Sequence, residues 1–549
     1  MTLYYHDDLK MINLYFLTKI ISILIIKLFN LAVEKPNVQK NYFILFLLLI
    51  ITSCGSIRRH NEQKASCIPP EKLKEDVDFA YSKLKEMHPQ LYWYISQKDL
   101  DHKFDSLKKT ITEPLTPLQF YFKLQPVIAD IREGHLSLRI PRKKFTKKEI
   151  KGLEHKKGMF SRFEYYVKDD HLFIVENKDS IENIKPGTEI LTINDIPVSE
   201  YLKKYRQLVS SDGFNTTFQP YFLKDWFFYF YVAENGFTDH AKIETLYNGE
   251  RKVYYLKRES KSENDLKNDK EQKKRTAEKK VNDYVAFNNS YNRNFKFLGK
   301  DSSIAYIKVK SFSRDYSEKF YKETFEKIKN AKSSYLIIDV RNNYGGSLDE
   351  INNLYSYLTS SPYVLIKPSQ VTSKISPLKT SYFRKSNILQ YAYKGLTYPT
   401  FFFAQTFSTY KKDGKVYYKM KADKVAKPNK DTFNGKIFVL INGGSFSASS
   451  IITSKLKNDK RVVLVGEETG GANDGTVAGF YSFQKLPNSK IDLPIGLLLV
   501  QPNITFSNTK KGVVPNVTVT ETLQDVIDKN DPQMDWVLSE IEREKNLHK

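Results

Sequence analysis

At 549 residues the chain is too long for one hydrophobic core, so several folded units are expected. Hydrophobic residues make up 40% and charged residues 27% of it, which excludes global disorder. The net charge of +24 comes from lysines spread along the chain rather than from a compact basic stripe, so no nucleic acid is expected as a partner.

The N-terminus has the features of an export signal. Residues 42–52 form an apolar run after Lys40 that is short for a membrane span and typical of a signal-peptide core. The run ends in Ile51-Thr52-Ser53-Cys54-Gly55, which resembles a bacterial lipobox, where the cysteine is lipidated. The alternative is a plain membrane anchor with an incidental cysteine. An earlier apolar stretch, residues 11–33, favours a start downstream of Met1 or a second anchor.

Cysteine chemistry beyond that is limited. Cys54 and Cys67 are the only cysteines, which excludes a disulfide framework and a multi-cysteine zinc site. We therefore predict a signal and lipoprotein segment at 1–54, followed by a polar tether at 55–70.

Residues 71–150 are predicted to form a small helical domain. Apolar residues recur at helical spacing from Glu71 to Met87, and Thr116-Pro117 with Gln119 supplies an N-cap, an N1 proline and a capping box for a second helix. The segment closes on Gly134-His135.

Residues 158–255 are predicted to be rich in β-structure. A proline-glycine turn at 186–187 leads into a short strand and then into a turn at Asn194-Asp195. This string resembles the PDZ signature, whose members bind extended chain ends by strand addition. An unrelated β-hairpin is the alternative. Residues 256–294 are strongly charged and are expected to form a linker.

Residues 295–540 alternate strand-like and helical patterns, which predicts an α/β core. The β-rich runs are Ile304–Val309, Tyr335–Val340, Ile437–Ile441 and Val462–Val465, and Ser317–Ala331 has helical spacing. The chain as a whole is thus predicted to be a multidomain α/β protein.

Two strand ends in this core carry the candidate chemistry. Gly345 and Gly346 follow one strand, where backbone amides can face an anion closely. Ser447 follows the next strand and precedes a helix, so helix N-terminal amides would stabilise a negative charge there. A helix cap built from serines is the alternative reading of that position.

Five motifs in one order resemble the C-terminal processing, or tail-specific, and tricorn-core serine protease family, in its bacterial lipoprotein branch. They are Gly134-His135, the run 336–346 with its two glycines, Ser447-Ala448-Ser449, the run 466–471 and Gly512-Val513-Val514-Pro515. The resemblance covers roughly residues 71–540. It implies an α/β protease core of the ClpP/crotonase type and no metal or organic cofactor.

The resemblance also implies residue roles. The nucleophile falls on Ser447, and the oxyanion donors fall on Ala448 and the Gly345-Gly346 turn. Ala472 stands where the dyad branch has its lysine, so His135 is the expected base.

The family's acidic residue before the Gly-Val-x-Pro motif has no counterpart here. Glu467, Glu468 and Asp474 remain unranked candidates for its role, and a structural role for His135 remains the alternative. Lys490, folded back as the base, is the other mechanism left open.

We thus predict a serine-type endopeptidase that acts by an acyl-enzyme mechanism on peptide or protein substrates. It would be lipid-anchored at the bacterial cell envelope through Cys54. The rival is a catalytically inactive, lipid-anchored peptide-binding protein of the same fold, to which the missing carboxylate and Asn516, in place of the family's usual aspartate, point.

Overall fold

The structure of the protein is a computed structural model that describes residues 57–178, 183–269, 271, 284–285, 290–314, 316–384, 386–505 and 510–547. The chain divides into two compact units, residues 1–63 and residues 64–549. The predicted signal segment and Cys54 lie outside the described residues. Within the described ranges, no helix is long and apolar enough to cross a membrane.

The first unit is described from residue 57 onward, where helix α1 (Ile57–Ala65) begins. This helix is polar and buries none of its side chains. The stretch predicted as a tether therefore includes a helical segment.

Four further helices follow, namely α2 (Pro70–Met87), α3 (Gln97–Lys109), α4 (Pro117–Ala129) and α5 (Lys147–Glu154). The predicted helix at 71–87 is confirmed as α2, which buries Leu73, Val77 and Leu84. The predicted capping box is confirmed as well, because the Gln119 N–H donates to Thr116 Oγ1 and the Thr116 N–H donates to Gln119 Oε1.

The next segment is an antiparallel sheet in the order β1-β2-β3-β5-β6, with β4 paired to β3. Its elements are β1 (Phe163–Lys168), β2 (His171–Asn177), β3 (Thr188–Ile193), β4 (Ile196–Pro197), α6 (Val198–Arg206), α7 (Phe218–Asn235), β5 (His240–Tyr247) and β6 (Glu250–Lys257). The predicted turn at Asn194-Asp195 is confirmed, with φ angles of 49° and 66°. Asn and Asp adopt this left-handed region more readily than other non-glycine residues.

The central sheet has the order β19-β16-β15-β11-β10-β9, in which every pair is parallel except β10 with β9. Its strands are β9 (Arg293–Leu298), β10 (Ile304–Val309), β11 (Tyr335–Asp339), β15 (Lys436–Ile441), β16 (Val462–Gly466) and β19 (Val517–Thr518). The helices of this part of the chain are α8 (Ser317–Asn330), α9 (Leu348–Ser356), α11 (Ala448–Leu456), α12 (Leu523–Asp528) and α13 (Pro532–Leu547). The predicted α/β core is confirmed.

A second sheet lies beside it in the order β13-β14-β12-β18-β17. Its strands are β12 (Ser369–Val371), β13 (Thr409–Lys412), β14 (Lys415–Tyr418), β17 (Thr476–Lys485) and β18 (Asp492–Val500), and helix α10 (Ile388–Phe407) precedes β13. A two-stranded sheet pairs β7 (Tyr284–Val285) with β8 (Ser290–Tyr291). Buried Asp76 of α2 accepts bonds from the Asn488 and Ser489 N–H groups, which ties the helical segment to the turn before β18.

Candidate active site

Ser447 lies at a sharp turn between strand β15 and helix α11, where it is the N-cap residue. Its backbone has φ 58° and ψ −119°, a conformation that costs a non-glycine residue energy. A strained strand-to-helix turn of this kind lifts a hydroxyl out of the backbone and toward the positive end of the helix.

The neighbouring serines are engaged elsewhere. Ser445, Ser449 and Ser450 are buried, and their hydroxyls donate to the carbonyls of Val340, Asn343 and Ser445 at 2.8, 2.7 and 3.1 Å. Ser447 is partly exposed. Of the serines in this turn, Ser447 therefore has the hydroxyl that a substrate can reach.

His135 lies against Ser447, with its Nε2 3.0 Å from Ser447 Oγ. The Phe446 ring stacks on the imidazole at a centroid distance of 5.0 Å. Gly134 lies so close that a Cβ there would be 2.4 Å from the same phenyl ring. The glycine of the Gly-His motif therefore allows the histidine to reach the serine.

Thr476, at the start of β17, holds the other side of the imidazole. His135 Nδ1 is 2.9 Å from Thr476 Oγ1, and the Thr476 hydroxyl in turn donates to Asp212 Oδ1 at 3.3 Å. Asp212 also accepts from the Gly134 N–H at 2.7 Å and from the Ala472 N–H at 3.3 Å. The aspartate thus contacts both the Gly-His motif and the threonine that contacts its imidazole.

Thr476 and Asp212 were not predicted from the sequence. Neither belongs to a motif, and Asp212 lies in the segment predicted as the PDZ-like domain, far from Ser447 in the chain. Only an isolated Asp-Gly at 212–213, between helices α6 and α7, marks it in the sequence, and Asp-Gly pairs are common in turns.

None of the three carboxylates proposed from the sequence contacts His135. Glu467 accepts from the Tyr221 hydroxyl, Glu468 from the Gly512 N–H at 2.7 Å, and Asp474 from the Lys510 N–H at 3.1 Å. Lys490 donates to the Pro487 carbonyl at 2.5 Å rather than to Ser447.

Burial controls the protonation of this site. Part of residue 135 reaches solvent, but its imidazole is enclosed by protein, and this burial lowers the pKa of His135 to about 4. Burial raises the pKa of Asp212 to about 7, and it also raises the pKa of the nearby carboxyls Glu133 and Asp474. At neutral pH the imidazole is therefore unprotonated and able to accept a proton.

The bonds form one directed chain. If Ser447 donates to Nε2, then Nδ1 carries the proton and donates to Thr476, whose own hydroxyl proton goes to Asp212. This assigned tautomer is the one in which a serine can pass its proton to the histidine.

The glycine turn faces the start of α11. A Cβ on Gly345 would lie 2.8 Å from Ser447 Cβ and 2.9 Å from the Ala448 nitrogen. The Ala448 N–H is in the first turn of its helix and has no acceptor within it. The Gly345 N–H donates to Asn343 Oδ1 at 2.9 Å, whereas the Gly346 N–H has no acceptor within the described part of the chain.

Across the same described ranges, no group of three His, Cys, Asp or Glu residues is arranged to hold a metal ion.

Comparisons with known proteins identify a peptidase domain in this chain. Residues 303–519 match the model of peptidase family S41. Mature CPAF is similar in fold, with 14% identity and a TM-score of 0.54 over 83% of this chain and 94% of that chain. Mature CPAF complexed with lactacystin gives 15% identity and a TM-score of 0.55 over 84% and 96%.

A putative peptidase from Parabacteroides merdae has 13% identity and a TM-score of 0.41 over 86% of this chain and 96% of that chain. No curated protein matches significantly. At these identities the two CPAF structures show a shared fold alone, and the family model identifies the peptidase domain. The chain therefore contains a domain, residues 303–519, that matches peptidase family S41, and it is a serine peptidase.

Proposed function

We propose that this peptidase cleaves peptide bonds through an acyl-enzyme formed on Ser447. His135 Nε2 takes the Ser447 proton as Oγ attacks the substrate carbonyl, and it then gives that proton to the leaving amine as the C–N bond breaks. Water, deprotonated by the same imidazole, attacks the ester and releases Ser447. The 3.0 Å contact between Ser447 and His135, at a turn whose other serines are engaged, carries this proposal.

The tetrahedral intermediate needs donors for its oxyanion. The Ala448 N–H and an N–H of the Gly345-Gly346 turn are the proposed pair, with Gly346 the freer of the two glycines. Losing one such donor typically costs about 10²–10³ in rate.

Thr476 and Asp212 are proposed to orient His135 in place of the carboxylate that the family pattern lacks here. This weakens one ground for an inactive peptide-binding protein. The other ground, Asn516, also weakens, because that side chain accepts from the Leu464 N–H at 2.9 Å and thus has a structural role beside β16.

Labelling with a fluorophosphonate tests the nucleophile. We expect the probe to modify Ser447, and Ser447→Ala to abolish both labelling and peptide hydrolysis. Ser449→Ala is the matched control, because its hydroxyl is buried on the Asn343 carbonyl. Unchanged hydrolysis by Ser447→Ala would favour the rival assignment of this serine as a helix cap.

The cell-envelope location is likewise a proposal and rests on the lipobox-like string ending at Cys54. Mass spectrometry of membrane-extracted protein should find acyl groups on Cys54, and Cys54→Ser should release the chain or leave it unprocessed.

The sheet β1-β2-β3-β5-β6 is proposed, from the PDZ-like string, to receive an extended substrate chain.

A further inference from the structure

Helix α10 (Ile388–Phe407) is attached to the protein by one face only. The Phe401 ring stacks on Tyr382 at a centroid distance of 4.3 Å, Lys394 Nζ donates to the Tyr382 carbonyl at 2.8 Å, and Thr397 bonds to the Tyr382 hydroxyl. These contacts fix the side of the helix that carries residues 394, 397 and 401.

The opposite face is apolar, and none of the residues that the structure describes covers it. It carries Leu389, Tyr393, Leu396, Phe403 and Phe407, which recur at helical spacing and are 39% to 79% exposed. We call these five residues the apolar stripe. At a rise of about 1.5 Å per residue the stripe is about 27 Å long, which is more than the scattered exposed hydrophobics of an ordinary surface.

The charge around the apolar stripe has one sign. Residues 367–430 contain fourteen lysines and arginines but only two aspartates and no glutamate, so about half of the chain's net charge of +24 falls in this short segment. The positive charge is therefore less evenly spread along the chain than we expected from the sequence. Lys411, Lys412, Lys415 and Lys419 of the hairpin after α10 are exposed. Helix α10 itself contains no acidic residue.

We propose that the apolar stripe and the lysines of the following hairpin bind the surface of an anionic lipid bilayer. An apolar helix face flanked by basic residues suits the boundary between acyl chains and headgroups, where its rings leave water and its lysines meet negative charge. This contact is separate from lipidation at Cys54 and does not depend on the proposed function.

The combination of apolar residues and positive charge argues against two other partners for the apolar stripe, a second copy of the chain and a nucleic acid. A second copy of the chain would bring two strongly basic surfaces together, which is repulsive. A nucleic acid would satisfy the lysines but leave the apolar stripe in water. An anionic bilayer covers the apolar residues and neutralises the lysines in one contact.

A fluorescent probe on the apolar stripe tests this proposal in the full chain. Leu396→Cys is introduced together with Cys54→Ser and Cys67→Ser and is labelled with an environment-sensitive fluorophore. The matched control carries the label through Tyr255→Cys, since Tyr255 is an exposed aromatic on strand β6. Thermal unfolding checks that both labelled proteins are folded.

We expect the emission of the probe at position 396 to shift to the blue with vesicles of phosphatidylcholine and phosphatidylglycerol, and far less with phosphatidylcholine alone. The control position should not respond. Changing Lys411, Lys412 and Lys415 to glutamate should raise the half-saturating lipid concentration at least about tenfold.

Three results would overturn the proposal. They are no response at position 396, an equal response at both positions, and a response without vesicles that grows with protein concentration. The last of these would make the apolar stripe a self-association surface. A lipid response that the lysine changes leave unaltered would remove the hairpin from the contact.

Discussion

At the scale of single residues, the chemistry of the site depends on which side-chain atoms are not already engaged in hydrogen bonds. The hydroxyls of Ser445, Ser449 and Ser450 donate to backbone carbonyls, which leaves Ser447 as the proposed nucleophile. His135 is oriented by a hydroxyl rather than by a carboxylate. The carboxyl group lies one hydrogen bond further from the imidazole, on Asp212, which accepts from the Thr476 hydroxyl.

Thr476 should act through the orientation of His135. Thr476→Val keeps the shape of the side chain but removes the acceptor for Nδ1–H, so kcat/KM should fall about 10- to 100-fold, mostly in kcat. Thr476→Ser should restore most of the loss, which a purely structural role for the side chain would not explain. Steady-state kinetics on one peptide compares the three proteins, and full activity in Thr476→Val would remove the threonine from the mechanism.

The pH profile should reveal the environment of the base. Because burial lowers the pKa of His135 to about 4, the imidazole is still neutral at pH 6. We therefore expect kcat/KM to fall steeply only as the pH drops toward 4. Protonation of Asp212 near pH 7 should lower activity only partly, since a neutral carboxyl still offers an acceptor oxygen to Thr476. A single steep loss at the ordinary histidine pKa of about 6.5 would contradict an enclosed imidazole.

At the scale of elements, a buried ion pair holds strand β9 to helix α9. Arg293 Nε donates to Glu350 Oε1 at 2.9 Å, and both side chains are fully buried. The Tyr321 hydroxyl of helix α8 donates to the same oxygen at 2.8 Å. Strand β9 and helices α8 and α9 therefore meet at one carboxylate.

Arg293→Met should cost about 3–5 kcal/mol of unfolding free energy, because it leaves Glu350 buried without its partner. Arg543→Met is the matched control, since Arg543 pairs with Glu540 on the surface, and it should change stability little. Chemical denaturation measures both. The double change Arg293→Met with Glu350→Leu should recover part of the loss, and no recovery would mean that packing rather than charge dominates at this position.

At the scale of the whole molecule, distant parts of the chain meet at a group of buried carboxyls. Glu133, Asp212 and Asp474 are each at most 2% exposed, and repulsion from the neighbouring carboxylates adds to the effect of burial in raising the pKa values of Glu133 and Asp212. Glu133 uses one oxygen to accept from the Val477 N–H at 3.1 Å. The site is thus assembled at a cost in folding free energy.

That cost should be measurable for Asp212. Its pKa is raised to about 7 in the folded protein against about 3.9 in an unfolded chain, so between these pH values the folded state holds a proton that the unfolded state releases. This group therefore lowers stability as pH rises from about 4 to 7. Asp212→Asn removes this effect. As pH rises from about 4 to 7, the unfolding free energy of the variant should therefore increase relative to that of the wild type, while its activity should be lower.

Denaturation curves at several pH values test this, with Ser447→Ala as the control because it keeps all three carboxyls. Parallel pH dependences for Asp212→Asn and wild type would show that Asp212 titrates as it does in the unfolded chain.

The sequence by itself determined much of this protein. Local patterns predicted helix α2, the cap at Thr116, the turn at Asn194-Asp195 and strands β10, β11, β15 and β16 of the central sheet, because each depends on neighbours within a few residues. Motif order led to the family, and a serine between a strand and a helix led to Ser447.

Only the tertiary structure decided how the histidine is held. His135, Asp212 and Thr476 come from segments predicted as separate domains, and their contacts depend on how those segments meet rather than on any local pattern. Glu467 and Glu468 lie within the motif at 466–471, but they accept hydrogen bonds from the Tyr221 hydroxyl and the Gly512 N–H. A hydrogen bond needs two atoms about 3 Å apart. For residues far apart in the sequence that distance in space is set by the fold, which is why sequence order alone could not rank the candidate carboxylates.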